Sequence, residues 1–148
     1  MRVVILGHTG FLGRALVGAF QQRGFEVQGY ASADMDLTQP AQTRRLADVM
    51  NDDTLLVLAA AIRRDTADTL ETAWRNLAIT FNVARQLEAH GAAKCVYVSS
   101  AAVYGDHEPP ESLPITEKTP VDPDVLYAVA KYAGERLLHK PTEIDLAA

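Results

Sequence analysis

The stretch Val3-Val4-Ile5-Leu6-Gly7-His8-Thr9-Gly10-Phe11-Leu12-Gly13 decides the fold class. Its first four residues are a short apolar run rich in β-branched side chains and bounded by glycine, the pattern of a strand covered on both faces. From Leu12 onward, Ala15, Leu16, Ala19 and Phe20 recur at the offsets of one helix face, and Gly24 stands where such a helix should stop. Three glycines therefore sit between a buried strand and an amphipathic helix.

Outward from this stretch the same alternation continues. Residues 25–30 read as a second strand, and Thr38 and Pro40 open a helix whose inner face includes Leu46, Val49 and Met50. The turn-like Asn51-Asp52-Asp53 precedes Leu55-Leu56-Val57-Leu58-Ala59-Ala60-Ala61, which is too short for a membrane span and reads as a central strand. Leu70, Trp74, Leu77, Phe81, Ala84 and Leu87 fall at spacings of three and four and predict a long helix ending at Gly91, with Trp74 and Cys95 assigned to the core. Cys95-Val96-Tyr97-Val98 predicts a strand ending at Ser99-Ser100. Residues 105–125 read as an irregular surface segment, followed by a helix over 127–139. Strand and helix alternate roughly every thirty residues, which predicts right-handed βαβ units in a Rossmann-like α/β fold, a doubly wound parallel sheet with helices on both faces. Ile144-Asp145-Leu146-Ala147-Ala148 resembles a strand beginning where the sequence stops, so the expectation is one incomplete domain over 1–148, with the last strands and a substrate-binding part missing.

Composition narrows the function. The chain has 148 residues, close to one domain, and 48% hydrophobic residues suffice for a core. Fourteen Lys and Arg against nineteen Asp and Glu leave a net charge of −5, the wrong sign for a general nucleic-acid binder. Cys95 is the single cysteine, and His8, His90, His107 and His139 have no metal-ligand spacing, so neither a disulfide nor a metal site is expected. No apolar run approaches the roughly 18 residues of a membrane span. The expectation is a soluble cytoplasmic protein.

The glycines carry the first chemical inference. In a turn between strand and helix, Gly7 permits the tight bend, Gly10 lets backbone approach a pyrophosphate, and Gly13 allows close packing of helix on strand. The helix N-terminus then offers unpaired N–H groups and a partial positive charge to phosphates. This predicts a dinucleotide cofactor. His8 reads as a solvent-facing loop residue with no assigned role.

A second inference comes from Tyr127-Ala128-Val129-Ala130-Lys131, which puts a phenol and an ammonium one turn apart on a helix face. At an effective dielectric near 20 and about 5 Å, the charge would favour the phenolate by about 3 kcal/mol, or about two pKa units. Such a tyrosine could exchange a proton with an alcohol as hydride moves at its carbon. Ser100, at the carboxyl end of a predicted strand, could donate to or accept from the reacting oxygen.

These residues resemble the extended short-chain dehydrogenase/reductases, also called NAD-dependent epimerase/dehydratases, most of which act on nucleotide sugars. Besides the glycine turn, the resemblance includes Leu58-Ala59-Ala60, Asn76-Leu77-Ala78-Ile79-Thr80-Phe81-Asn82-Val83, Val98-Ser99-Ser100-Ala101-Ala102-Val103-Tyr104-Gly105, Pro114-Ile115-Thr116-Glu117 and Tyr127-Ala128-Val129-Ala130-Lys131-Tyr132-Ala133-Gly134-Glu135. It implies that Tyr127 is the acid/base, that Lys131 tunes it and binds the nicotinamide ribose, that Ser100 orients the substrate oxygen, and that Asn76 supports the site. It also implies cofactor contacts from Gly7, Thr9, Gly10, Phe11, Leu12, Gly13, Ala59 and Ala60. A homodimer through the helices near 70–90 and 127–139 is expected by analogy.

Three departures refine this expectation. Members that use NAD commonly carry an acid after the second strand, where this chain has Tyr30-Ala31-Ser32-Ala33, and no arginine follows to receive the extra phosphate of NADP. The missing acid favours NADP slightly over NAD, as does the short link through Asp34-Met35-Asp36-Leu37, which resembles nucleotide-sugar reductases of the GDP-fucose synthase type. Dehydratases place Asp-Glu, or at least Glu, after the active-site hydroxyl; Ala101-Ala102 here disfavour dehydration and leave epimerisation or reduction. Relatives are about twice as long. A non-catalytic NAD(P)-binding module, or an inactive fragment of such an enzyme, is therefore the alternative that the sequence leaves open.

Overall fold

Val3, Val4, Ile5 and Leu6 are completely buried in strand β1, Arg2–Leu6, the axis of the fold. The computed structural model describes residues 1–105 and 114–139. Within them β1 is flanked by β2, Glu26–Tyr30, on one side and β3, Thr54–Leu58, on the other, and β4, Lys94–Tyr97, pairs with β3. All pairings are parallel, with Leu6 opposite both Tyr30 and Leu58, and Leu58 opposite Tyr97.

The two-residue period of the strands divides the core. Val3, Ile5, Leu55 and Val57 face Leu16, Val17 and Phe20 of helix α1, Phe11–Gln22. Val4, Leu6, Leu56, Leu58, Cys95 and Tyr97 face the other way. They pack with Leu46 and Val49 after the short helix α2, Pro40–Thr43, with Val83 and Leu87 of α3, Leu70–His90, and with Leu138 of α4, Leu126–His139. Helices thus cover both faces of a doubly wound sheet. The strand order β2-β1-β3-β4 reverses direction between β1 and β3, so a crevice opens at their carboxyl ends, where Gly7 and Ala59 begin their loops.

Four sequence expectations need correction. The helix begun by Pro40 lasts only four residues before tightening into a 3₁₀ segment, Arg44–Asp48, although Leu46, Val49 and Met50 are buried as expected. The central strand ends at Leu58, and Ala59 to Ala61 leave the sheet to wall the crevice. Trp74 is not core: Leu70, Trp74 and Phe81 form the outward stripe of α3 and are 77%, 64% and 51% exposed. The inward face carries Asn76, Ile79, Thr80, Asn82, Val83 and Leu87. Helical spacing identifies a stripe but not its side, and polar residues can turn inward when hydrogen bonds satisfy them. Asn82 Nδ2 donates to the Leu37 carbonyl at 2.9 Å, and Thr80 Oγ1 donates to the Asn76 carbonyl at 3.1 Å. His8 is the fourth correction. Its ring packs so tightly on Gly29 that a Cβ there would lie 2.4 Å from the ring, and its buried Nδ1 has no partner among the described residues. The strand expected from Ile144 and the residue His107 lie outside the described residues.

Candidate cofactor and catalytic site

The site starts with backbone geometry after β1. Gly7 adopts φ +92°, donates its N–H to the Tyr30 carbonyl at 2.8 Å, and approaches the next loop so closely that a Cβ would lie 2.7 Å from the Ala60 nitrogen. Gly13 lies beneath the turn, where a Cβ would be 2.2 Å from the Gly7 oxygen. Gly10 is the N-cap of α1, and no side chain caps that helix, so its first N–H groups stay available to a ligand.

These groups border a groove of about 340 Å³. Gly7, Thr9 and Gly10 form one side, Ala59, Ala60 and Ile62 another, and Tyr30, Ala31 and Ser32 the far end. Narrow glycine and alanine surfaces beside an uncapped helix terminus fit a dinucleotide, whose pyrophosphate needs close backbone approach and N–H donors. Five of the expected cofactor residues, Gly7, Thr9, Gly10, Ala59 and Ala60, line this groove. Phe11 is 89% exposed, while Leu12 lines an adjoining apolar groove together with Ser100. Gly13 contributes by packing under the turn rather than by lining the groove.

Ser100 and Tyr127 come together at the carboxyl end of β4. The Ser100 hydroxyl accepts from the Ala102 N–H at 3.2 Å, and its hydrogen bonding to the Tyr127 phenol favours the ionised form. Burial nevertheless dominates and raises the tyrosine pKa above its ordinary value; Ser100 and Arg63 pull it down, and Asp65 adds to the rise. This corrects the expectation that Lys131 makes the phenol more acidic. The Lys131 ammonium instead donates to the Val98 carbonyl and lies 4.1 Å from the centre of the Tyr97 ring. Burial brings the lysine down to about 8, opposed by the negative charge of Glu135.

Several side chains hold this arrangement in place. Asn76 Oδ1 accepts from the Ile62 N–H at 2.8 Å while its Nδ2 donates to the Ile62 carbonyl at 2.9 Å, which clamps the loop after β3 onto α3. Its described contacts thus support the groove wall. Asp68 accepts from the N–H groups of Leu126 and Tyr127 at 3.3 and 2.8 Å and caps α4 from a distant loop. Ser99 donates to Glu135, tying β4's exit to α4. Sequence reasoning missed Asp68 and Glu135 because their partners are remote in the chain, and Arg63 because the phenol it acts on, Tyr127, is remote as well. It also missed Arg75, which lines the groove from α3. Arg75's adjacency to Asn76 was the available signal.

Residues 3–143 match the family model described as the NAD dependent epimerase/dehydratase family. The chain is 29% identical over 142 residues to GDP-L-fucose synthase 1 of Arabidopsis thaliana, covering 90% of this chain and 43% of that protein. Two of the solved structures that share its fold serve as examples. The UDP-glucose 4-epimerase of Thermus thermophilus, in complex with NAD, superposes with TM-score 0.86 at 24% identity, over 99% of this chain and 53% of its own. A dTDP-4-dehydrorhamnose reductase from Clostridium acetobutylicum gives 0.83 at 24%, over 100% and 53%. The chain therefore spans about half the length of these relatives. With the family model matched along nearly all of its sequence, the chain belongs to the NAD-dependent epimerase/dehydratase family.

Proposed function

We propose that this chain forms the coenzyme-binding part of an NAD(P)-dependent oxidoreductase or epimerase that acts on a nucleotide sugar by reversible hydride transfer at a sugar carbon. The supporting observations are the uncapped α1 groove after β1 and β3 and, in the adjoining groove that Leu12 shares, Ser100 after β4, whose hydroxyl is hydrogen-bonded to the Tyr127 phenol of α4. A nicotinamide bound there supplies the hydride acceptor or donor. Tyr127 holds or takes the proton of the sugar hydroxyl, and Ser100 fixes that oxygen by donating or accepting a hydrogen bond. Lys131, whose ammonium already reaches the Val98 carbonyl at the end of β4, is the donor for the nicotinamide ribose. Alanines at 101 and 102 cannot move protons, which keeps the reading at epimerisation or reduction.

The same reading places the protein in the cytoplasm, which its lone buried cysteine supports, and pairs two copies through α3 and α4, which the exposed Leu70, Trp74, Phe81 and Val129 support. A non-catalytic NAD(P)-binding module is favoured by one observation, the engagement of the Lys131 ammonium with the Val98 carbonyl and the Tyr97 ring rather than with the Tyr127 phenol. Turnover distinguishes the two. With coenzyme and a panel of nucleotide sugars, the chain should interconvert oxidised and reduced nicotinamide, and Tyr127→Phe should slow this about 10²- to 10⁴-fold with coenzyme affinity unchanged. An undiminished rate in the variant contradicts the acid/base assignment, and tight coenzyme binding without turnover supports the module.

A further inference from the structure

The loop after β2 carries neither an unengaged acid lining the groove nor an arginine, yet the groove does contain a guanidinium. It comes from a different element. Arg75, in the second turn of α3, lines the groove together with Tyr30, Ala31 and Ser32. Three ion pairs occur among the described residues, Met1 with Asp53, Arg2 with Glu26 and Arg63 with Asp65, and Arg75 takes part in none of them.

The acids nearby are already engaged. Asp34 does not line the groove: its carboxylate accepts from the Ala31 N–H at 2.8 Å, turned back onto its own loop. Asp36 does line it, but its Oδ1 accepts from the Thr38 N–H at 2.9 Å and from the Thr38 hydroxyl at 2.7 Å. Arg75 is near enough to help keep that carboxylate ionised without pairing with it. Arg45 buttresses the same loop from behind, donating to the Asp34 carbonyl at 2.9 Å.

We infer that Arg75 is the coenzyme-discriminating residue, receiving the 2′-phosphate of NADP at the groove end walled by Tyr30, Ala31 and Ser32. This rests on the dinucleotide reading proposed above and extends it to the phosphorylated coenzyme. The physical basis is the guanidinium's planar set of donors, which matches a phosphate and stays charged at every working pH. Ser32, whose hydroxyl can donate, lines the same groove, while the one carboxylate lining it among the described residues, Asp36, is held by Thr38.

The test is titration of the whole chain with NADPH and with NADH, repeated for Arg75→Met and Arg75→Lys, with circular dichroism to check folding. The wild-type chain should bind NADPH more tightly than NADH. Arg75→Met should weaken NADPH about 10- to 100-fold, the range expected for charge-assisted hydrogen bonds, and leave NADH within about twofold. Arg75→Lys should retain part of the preference. Titration with 2′,5′-ADP against 5′-AMP isolates the phosphate and should show the same loss. A wild-type preference for NADH, or an equal loss of both coenzymes in Arg75→Met, overturns the assignment while leaving the dinucleotide reading intact. Failure of the wild-type chain to bind either coenzyme overturns both.

Discussion

Lys131 is the one lysine or arginine buried among the described residues. Its side chain is almost fully buried, yet its ammonium has one carbonyl, one aromatic face and a more distant carboxylate for company. Burial lowers its pKa from 10.5 to about 8, so between these values the unfolded chain binds more protons than the folded one. Stability should therefore rise with pH from about 8, since the cost of burying the charge disappears as the folded lysine deprotonates. Cys95, pushed from 9.0 to about 12, acts in the opposite direction above pH 9, because only the unfolded thiol ionises there. Thermal melts between pH 7.5 and 9 should show Tm increasing in the wild-type chain and not in Lys131→Met; a flat wild-type profile would refute this picture. None of it was legible from the Tyr127-to-Lys131 spacing, which predicted a shared face but not that the ammonium would turn to the Val98 carbonyl.

At the scale of elements, what was legible followed from period and punctuation. The run Val3 to Leu6 and the glycines at 7, 10 and 13 located the strand, the turn and the start of α1, because steric demands at Gly7 and Gly13 leave little alternative. The stripe from Leu70 to Leu87 located α3 and its buried Ala84 and Leu87 but turned Leu70, Trp74 and Phe81 the wrong way, since hydrogen bonding by Asn76 and Asn82 was invisible in one dimension. The start of α4 shows the same limit. Leu126 and Tyr127 owe their satisfied N–H groups to Asp68, 58 and 59 residues earlier in the chain. Asp68→Ala should cost about 1 kcal/mol of stability, the usual loss for a helix cap, and should loosen Tyr127 against Ser100. Denaturant unfolding measures the first effect; no change in stability would show that water replaces the carboxylate without cost.

At the scale of the whole molecule, the surface of α3 and α4 stands out. Leu70, Trp74, Phe81 and Val129 are all large, apolar and between 46% and 77% exposed. Large apolar side chains exposed along packed helices mark association surfaces when they form a continuous patch. Sedimentation should find the chain dimeric at micromolar concentration, and Trp74→Glu should shift it to monomer; a monomeric wild-type chain would rule out the pairing. Pairing through these helices would also bear on the site, because α3 carries Arg75 and Asn76 and α4 carries Tyr127 and Lys131.

Coenzyme, hydride transfer and the role of Arg75 all require one groove to be built for a dinucleotide. Gly10 tests it with less disturbance of the fold than Gly13, since the nearest atom to a Cβ there is the Gly7 oxygen at 3.3 Å, whereas the same addition at Gly13 would collide at 2.2 Å. The most direct measurement is calorimetric titration of the chain and of Gly10→Val with reduced nicotinamide coenzyme. Saturable one-to-one binding by the wild-type chain, lost in a variant that remains folded, is the predicted result. Absence of wild-type binding, or equal affinity in Gly10→Val, would contradict it.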